Sequence, residues 1–490
     1  MKFKLLGAAA CLLALIAAVC APLFLTQEPT GRYHQHLEQA GYTPCTDHDG
    51  SVFCTHLPLL QIETGGVEIP GRFVDQTATA VTAAADGSDY ILCTLTVTDR
   101  EQENNHLSDA PQVSTSAQIN IRGRSSRFFD KVGYALRLVD ERGENAPQAL
   151  AGMDAHHEWV LHGPYLDKTL IRNYMWYNLA GEVMDYAPNV RFCEVVLNGD
   201  YQGVYVLTES ITAGANGSRL ELTVDRKDNT FSGYLLRCDS GSQTPIKNVD
   251  TFSVYSYRFP NKVNIEYPGV TNLTEEMAEA IRQDFSAFEK TLYSFDYHSD
   301  TYGYENLIDV ESFVDYFILN ELTLNYDAGW LSTYIYKGID NRYRMCVWDF
   351  NSACDNYQES FQNPFSFQFQ YGLWYVMLMK DPGFVNAILD RYEQLRQGVL
   401  SDEAMNEYID ETVAFLGPAV ERNFTVWGYT FEEEYDMLIP AERNPRSFDE
   451  AVDDLKTALF TRADWMDRNI HTLQQYSAES KTKKFNEHTE

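Results

Sequence analysis

Apolar and polar positions alternate most clearly between Asn325 and Asn351, NYDAGWLSTYIYKGIDNRYRMCVWDFN. The β-branched and aromatic residues at every second position predict strands over Ser332–Lys337 and Tyr343–Trp348, with the turn Gly338–Arg342 between them. A hairpin brings the outer ends of its strands together. Asp327, just before the first strand, and Asp349, just after the second, are therefore expected to meet at its open end.

The pattern changes several times along the chain. Lys2 and Lys4 precede an uncharged apolar run over 5–25, long enough for a signal peptide or membrane anchor over 1–26. Val19 before Cys20 makes a poor lipoprotein box. Residues 27–55 read as a stalk, and 56–116 as a β-rich module ending in a polar loop. A strand over Ala117–Arg122 then runs into GRSSRFFDK and the strand GYALRLVD.

Asp167 is placed to cap a helix over Lys168–Tyr186, with Leu170, Ile171, Tyr174, Met175 and Leu179 on one face. A hairpin follows, RFCEVVLNGDYQGVYVLTE, turning at Asn198-Gly199. Residues 117–240 thus read as one α+β unit. From 241 to 476 the pattern is mostly helical, with helices predicted over Thr274–Tyr293, Asp309–Leu324, Phe384–Val399, Asp402–Phe415 and Phe448–Tyr476. Residues 477–490 form a polar tail, and no internal repeat is visible.

Composition narrows the functional classes. Across 490 residues, 38 basic against 71 acidic side chains give a net charge of −33, which disfavours nucleic acid or an anionic membrane surface as the main partner. The N-terminal run is the one expected membrane contact and places the remainder outside the cytoplasm, anchored or secreted. Cys45 and Cys54 flank a Gly/Asp-rich loop and could form a disulfide there. The lack of CxxC spacing argues against structural zinc. There is no GxSxG, Walker A or GxGxxG. His157-Glu158 followed by His162 has the wrong spacing for a zincin helix.

One basic string stands out in this acidic chain. Arg122, Arg124, Arg127, Lys131 and Arg137 surround Gly123, Ser125 and Ser126, donors suited either to phosphate oxygens or to a solvated strand. Asp327 and Asp349 are equally open between turn capping and the metal-and-hydroxyl chemistry of phosphoryl transfer.

Taken in order, these strings resemble the CotH-type spore coat kinases, atypical protein kinases with a much-altered, two-lobed kinase-like fold. The likeness runs from LPLLQIETGG through RGRSSR…DK, DKTLIRN, VVLNGDYQGVYVLTE, NYDAGWLSTYIYK and VWDFN to ERNFTVW. It implies an α+β fold of this kind behind the small β-rich module. It also implies ATP with Mg²⁺ or Mn²⁺, and a protein substrate with Ser/Thr acceptors.

Carried over by residue, Asp327 is the catalytic aspartate and Asp349 the metal aspartate. Arg124, Ser125, Lys131, Arg172 and Glu209 are nucleotide contacts, Lys131 on phosphate and Glu209 on adenine or ribose. Asn173 belongs to the helix string with Arg172. Two expected metal positions depart from the pattern: Ser332 stands where Asn is common, and Asn351 where the pattern reads WDFD. Arg237 replaces a common acidic residue. These departures suit a catalytically impaired kinase-fold binding protein as the alternative. A secreted glycoside hydrolase, suggested by separated carboxylates and many aromatics, is the more distant one.

Overall fold

A computed structural model describes residues 32–39, 43, 45–46, 52–100, 103–213, 220, 222–239, 242, 244–250 and 262–478. The apolar run over 5–25 and most of the tail lie outside the described residues. Among the described helices, none is long and apolar enough to cross a membrane. The fold is mixed α+β.

Its first layer is a closed barrel. After the short helix α1 (Gln35–Glu38) come β1 (Cys54–Thr55), β2 (Leu59–Glu63), β3 (Ile91–Thr98), β4 (Asn105–His106) and β5 (Val113–Arg122). Then follow β6 (Gly133–Val139), β7 (Glu158–His162), the helix α2 (Arg172–Val183), β8 (Val190–Leu197) and β9 (Asp200–Glu209). The barrel order is β2-β3-β5-β6-β7-β9-β8, closed by the parallel pair β2·β8, while β1 and β4 form a separate two-stranded sheet. Leu60, Ile62, Leu95, Ile119, Leu136, Leu161, Val195 and Leu207 fill the barrel interior.

This corrects the sequence-based division. The boundary at 116/117 falls inside β5, and β3 pairs with β5 from Ile91↔Ile119 to Val97↔Val113. The leading strands are staves of one barrel, because a strand edge left unpaired at β5 would expose a row of backbone donors and acceptors. At the β8–β9 turn, Asn198 and Gly199 have φ of 49° and 86°, the left-handed pair that the primed turn requires.

The second layer is a five-stranded antiparallel sheet. It is built from β12 (Tyr234–Asp239), β13 (Asn248–Val249), β14 (Lys262–Tyr267), β15 (Thr333–Lys337) and β16 (Tyr343–Cys346), in the order β13-β14-β12-β15-β16. The remaining pair, β10 (Val224–Asp225) and β11 (Thr230–Phe231), makes a small ribbon.

The later helices are α3 (Glu275–Leu292), α4 (Val310–Thr323), α5 (Tyr375–Leu378), α6 (Pro382–Arg396), α7 (Asp402–Leu416), α8 (Pro418–Trp427) and α9 (Phe448–Asn469), of which α8 packs on the barrel strand β9. Their starts follow local chemistry. Thr274 Oγ1 accepts from Met277 N–H at 3.2 Å to open α3, and Asp309 Oδ1 accepts from Ser312 N–H at 3.1 Å to open α4.

α2 is shorter than its apolar pattern predicts. Asp167 accepts from the Thr169 and Arg172 backbone N–H groups and so organises a turn ahead of the helix instead of its first turn. The helix is also buried nearly all round, Arg172 and Asn173 included, because their polar groups bond to chain on the far side.

The C-terminal end of α4 is tied to α9 by a buried ion pair. Glu321 and Arg462 are 0% and 1% exposed, and Glu321 also accepts from the Gln368 and Phe369 backbone N–H groups. Replacing one member leaves the other charge buried without its counter-ion. Arg462→Met is expected to lower stability by about 3–5 kcal/mol, read as a lower urea midpoint at unchanged slope. A midpoint equal to that of the parent chain would contradict it.

Candidate active site

The sheet register brings the site together. β12 pairs with β15 as Cys238↔Thr333, and β15 with β16 as Tyr334↔Cys346. Asp239 at the end of β12, Ser332 just before β15 and the residues following Cys346 therefore share one end of the sheet. Asp327 reaches the same end through a tight loop, in which its carbonyl accepts from Trp330 and Leu331 N–H. Thr333 Oγ1 locks that loop, accepting from Gly329 N–H at 2.8 Å and donating to Leu331 C=O at 2.9 Å. Gly329 is obligatory here: its φ is +80°, and an added Cβ would stand 2.6 Å from the Phe369 ring.

Helix α2 fixes the other side. The Asp349 N–H donates to Tyr177 Oη at 2.9 Å, and the Phe350 N–H to Asn173 Oδ1 at 2.8 Å. Arg172 Nε donates to Ala353 C=O at 2.9 Å and Nη2 to Cys354 C=O at 3.1 Å, while Nη1 pairs with Asp167 at 2.6 Å. These bonds hold Asp349 at φ 64° and Ser332 sits at φ 49°, left-handed conformations that non-glycine residues adopt under constraint.

Three carboxylates interact at this end. Burial, then the Asp349 and Asp239 charges, push the Asp327 carboxyl up to about 7, against the opposing pull of Arg124. Asp349 is raised by burial and by Asp239, with Arg122 and the Ser332 hydroxyl opposing. Arg122 lies over the Trp348 ring, 5.5 Å from its centroid. Asp239 is flanked by Arg237 at 3.4 Å. Mutually repelling carboxylates in a poorly hydrated pocket match the charge of a divalent cation. Two residues after Asp349, the Asn351 Oδ1 atom is buried without a hydrogen-bond partner, a hard oxygen of the kind that suits such an ion.

The sequence-based candidates divide. Asp327, Asp349 and Ser332 come together, Asn351 follows directly on the chain, and Arg124 is the cation facing Asp327. Ser125 opens an exposed 3₁₀ turn, Ser125–Phe128, next to Arg124. Gly123, at φ +103°, closes that loop, and Arg127 folds it by donating to the Gly123 and Gly71 carbonyls.

Lys131 is not brought to the carboxylates. Its ammonium donates to Asn423 Oδ1 at 2.7 Å, lies 5.1 Å from the Tyr205 ring centroid and is 1% exposed. The charged groups around it are Lys168, Asp167 and Glu194. It is a packed tie between the β5–β6 turn and α8, because its stem enters the aromatic floor of Tyr205 and Trp427. Arg172 likewise spends its guanidinium on backbone carbonyls and Asp167, and so positions the Asp349 segment. Glu209, 1% exposed at the end of β9, accepts from Asn189 Nδ2 at 3.3 Å and is closed off from an adenine or ribose.

Sequence reading missed Asp239 and Tyr177, whereas Arg122 was already visible in the basic string. The His157/His162 spacing builds nothing: His162 packs against Trp348, with ring centroids 5.4 Å apart, and His157 stacks on His156. A cavity of about 390 Å³ lined by Lys168, Arg172, Cys354, Arg443 and Arg462 opens behind the site, with neither Asp327 nor Asp349 in its wall.

A family model described as CotH kinase protein matches residues 119–466, a span that contains Asp239, Asp327, Asp349 and both arginines. No curated protein matches the chain.

The crowded carboxylates carry a pH signature. A carboxyl raised from 3.8 to about 7 binds its proton more tightly in the folded chain than in the unfolded one. Metal-free stability is therefore expected to fall as pH rises from about 4 to 7. Asp327→Asn removes this repulsion and is expected to add about 1–2 kcal/mol at pH 8 and little at pH 4. Thermal melts in chelator at the two pH values check this, and an equal shift at both would contradict it.

Proposed function

We propose that this chain, which belongs to the CotH kinase family, transfers the γ-phosphoryl group of ATP to Ser or Thr hydroxyls of a protein. Kinase family membership implies ATP and a divalent metal. The reading rests above all on one observation: three interacting carboxylates faced by two guanidinium groups at the end of a single sheet.

Asp349 and Asp239 are suited to hold Mg²⁺ or Mn²⁺, with Asn351 Oδ1 as a neutral oxygen ligand. When bound, the metal supplies positive charge against the phosphate oxygens. Ser332 acts through Asp349, its hydroxyl orienting the carboxylate. Asp327 orients the acceptor hydroxyl and takes its proton, a task suited to a carboxyl near neutrality. Arg122 and Arg124 face the phosphates, with the Ser125 turn beside them. Catalysis in this scheme is positioning plus electrostatics.

We read the barrel with α2 as the counterpart of a kinase N-terminal lobe and the β12–β16 sheet with its helices as the C-terminal lobe. We also place the chain outside the cytoplasm, anchored by or released from the apolar run over 5–25, with no nucleic acid partner at its net charge of −33.

The Asn351 departure keeps one second reading in view, a kinase-fold binding protein without transfer. Asp239 bears on it directly, since a third carboxylate restores the charge that Asn351 lacks. Labelled ATP with Mg²⁺ or Mn²⁺ separates the two. Asp327→Asn and Asp349→Asn are each expected to lower transfer by about 10²–10⁴-fold with unchanged circular dichroism, and excess chelator to abolish it. Full activity in either variant overturns the assignment, and nucleotide-dependent thermal stabilisation without any transfer selects the second reading. Asn351→Asp is expected to lower the Mg²⁺ concentration needed for half-maximal transfer; an unchanged requirement would remove Asn351 from the metal site.

A further inference from the structure

A second cluster of ligand-type side chains lies outside the family-matched span. Cys54 and His106 are direct cross-strand partners in the β1·β4 pair, so their side chains stand on the same face. Cys45 approaches from the preceding segment. One ligand atom from each of Cys45, Cys54 and His106 lies within 4.8 Å of the others. Both cysteines carry free thiols, so the disulfide that the sequence allows between them is not made here.

The surroundings are built around this trio. Asp109 Oδ2 accepts from His106 Nδ1 at 3.0 Å and from the His106 backbone N–H at 2.9 Å, and it is itself held by Arg100 at 3.0 Å. A carboxylate on Nδ1 fixes the tautomer in which Nε2 carries the lone pair. Asn104 Nδ2 donates to the Thr43 carbonyl at 2.7 Å, drawing the Cys45 segment toward β4. Asn105, 0% exposed, anchors β4 to the barrel entrance through Leu57 C=O at 2.9 Å.

We propose that Cys45, Cys54 and His106 form a binding site for a thiophilic divalent cation of the Zn²⁺ class. Two thiolates and an imidazole are the ligand set such a cation selects. Zn–S and Zn–N bonds of about 2.3 and 2.0 Å put tetrahedral ligand atoms about 3.3–3.8 Å apart, a contraction within reach of side-chain rotation. Binding releases the two thiol protons to solvent and leaves a neutral complex, with water in the fourth position. A disulfide would use the same sulfurs but would give no role to an imidazole oriented by Asp109. The bound ion would clamp the lead-in segment onto the strand pair ahead of β2, so its effect falls on stability and not on phosphoryl transfer.

The test uses the purified full-length chain under reducing conditions. Elemental analysis after Zn²⁺ loading is expected to find one equivalent, and Co²⁺ is expected to give a thiolate-to-cobalt charge-transfer band. Both should be lost in Cys54→Ser and His106→Ala. Asp109→Asn is expected to weaken binding by about 10–100-fold with the ligands intact. Three results overturn the proposal: no charge-transfer band in the parent chain, metal uptake indifferent to His106→Ala and Cys54→Ser, or a Cys45–Cys54 disulfide that takes up no Zn²⁺ once reduced.

Discussion

The grip of helix α2 on the chain that follows Trp348 is the contact on which the rest of the site depends. Arg172, Asn173 and Tyr177 lie on neighbouring turns and bond, in order, to Cys354 and Ala353, Phe350 and Asp349. A left-handed φ at a residue such as Asp349 costs about 1–3 kcal/mol, and two directed hydrogen bonds of about 1 kcal/mol each offset much of it. With its backbone pinned, the Asp349 carboxylate is presented toward Asp239 and Asp327. Asp167, 3% exposed, closes the arrangement by neutralising Arg172 at the base of the helix.

What α2 presents is electrostatically unfavourable in the metal-free chain. Three carboxylates share a poorly hydrated corner, and two arginines compensate them in part. Such concentrations of like charge are where catalytic and metal sites sit, because a fold selected for stability alone would disperse them. The strain at Asp349 and Ser332 belongs to the same logic.

The barrel extends this architecture beyond the matched family span. β2 and β3 precede residue 119, yet they complete the ring by pairing with β8 and β5. Lys131, Tyr205, Asn423 and Trp427 then weld the barrel to α8, with Gly203 at φ +92° letting Asn423 approach the backbone. Lys131 supports the fold from within the chain, away from the phosphate side.

By itself the sequence determined what short-range patterning encodes. The Asn198-Gly199 turn, the β15–β16 hairpin, the helix starts at Thr274 and Asp309 and the meeting of Asp327 with Asp349 all follow from side-chain period and local capping. The ordered strings also identified the family. Only tertiary structure decided what depends on distant pairing. Asp239 enters the site through the β12·β15 register, which no local pattern contains. Lys131 and Arg172 look like ligand-facing cations in the sequence, but burial and their hydrogen-bond partners turn them to structural use. The 116/117 boundary vanished for the same reason: a polar loop marks where a chain bends, whereas barrel closure sets which strands belong together.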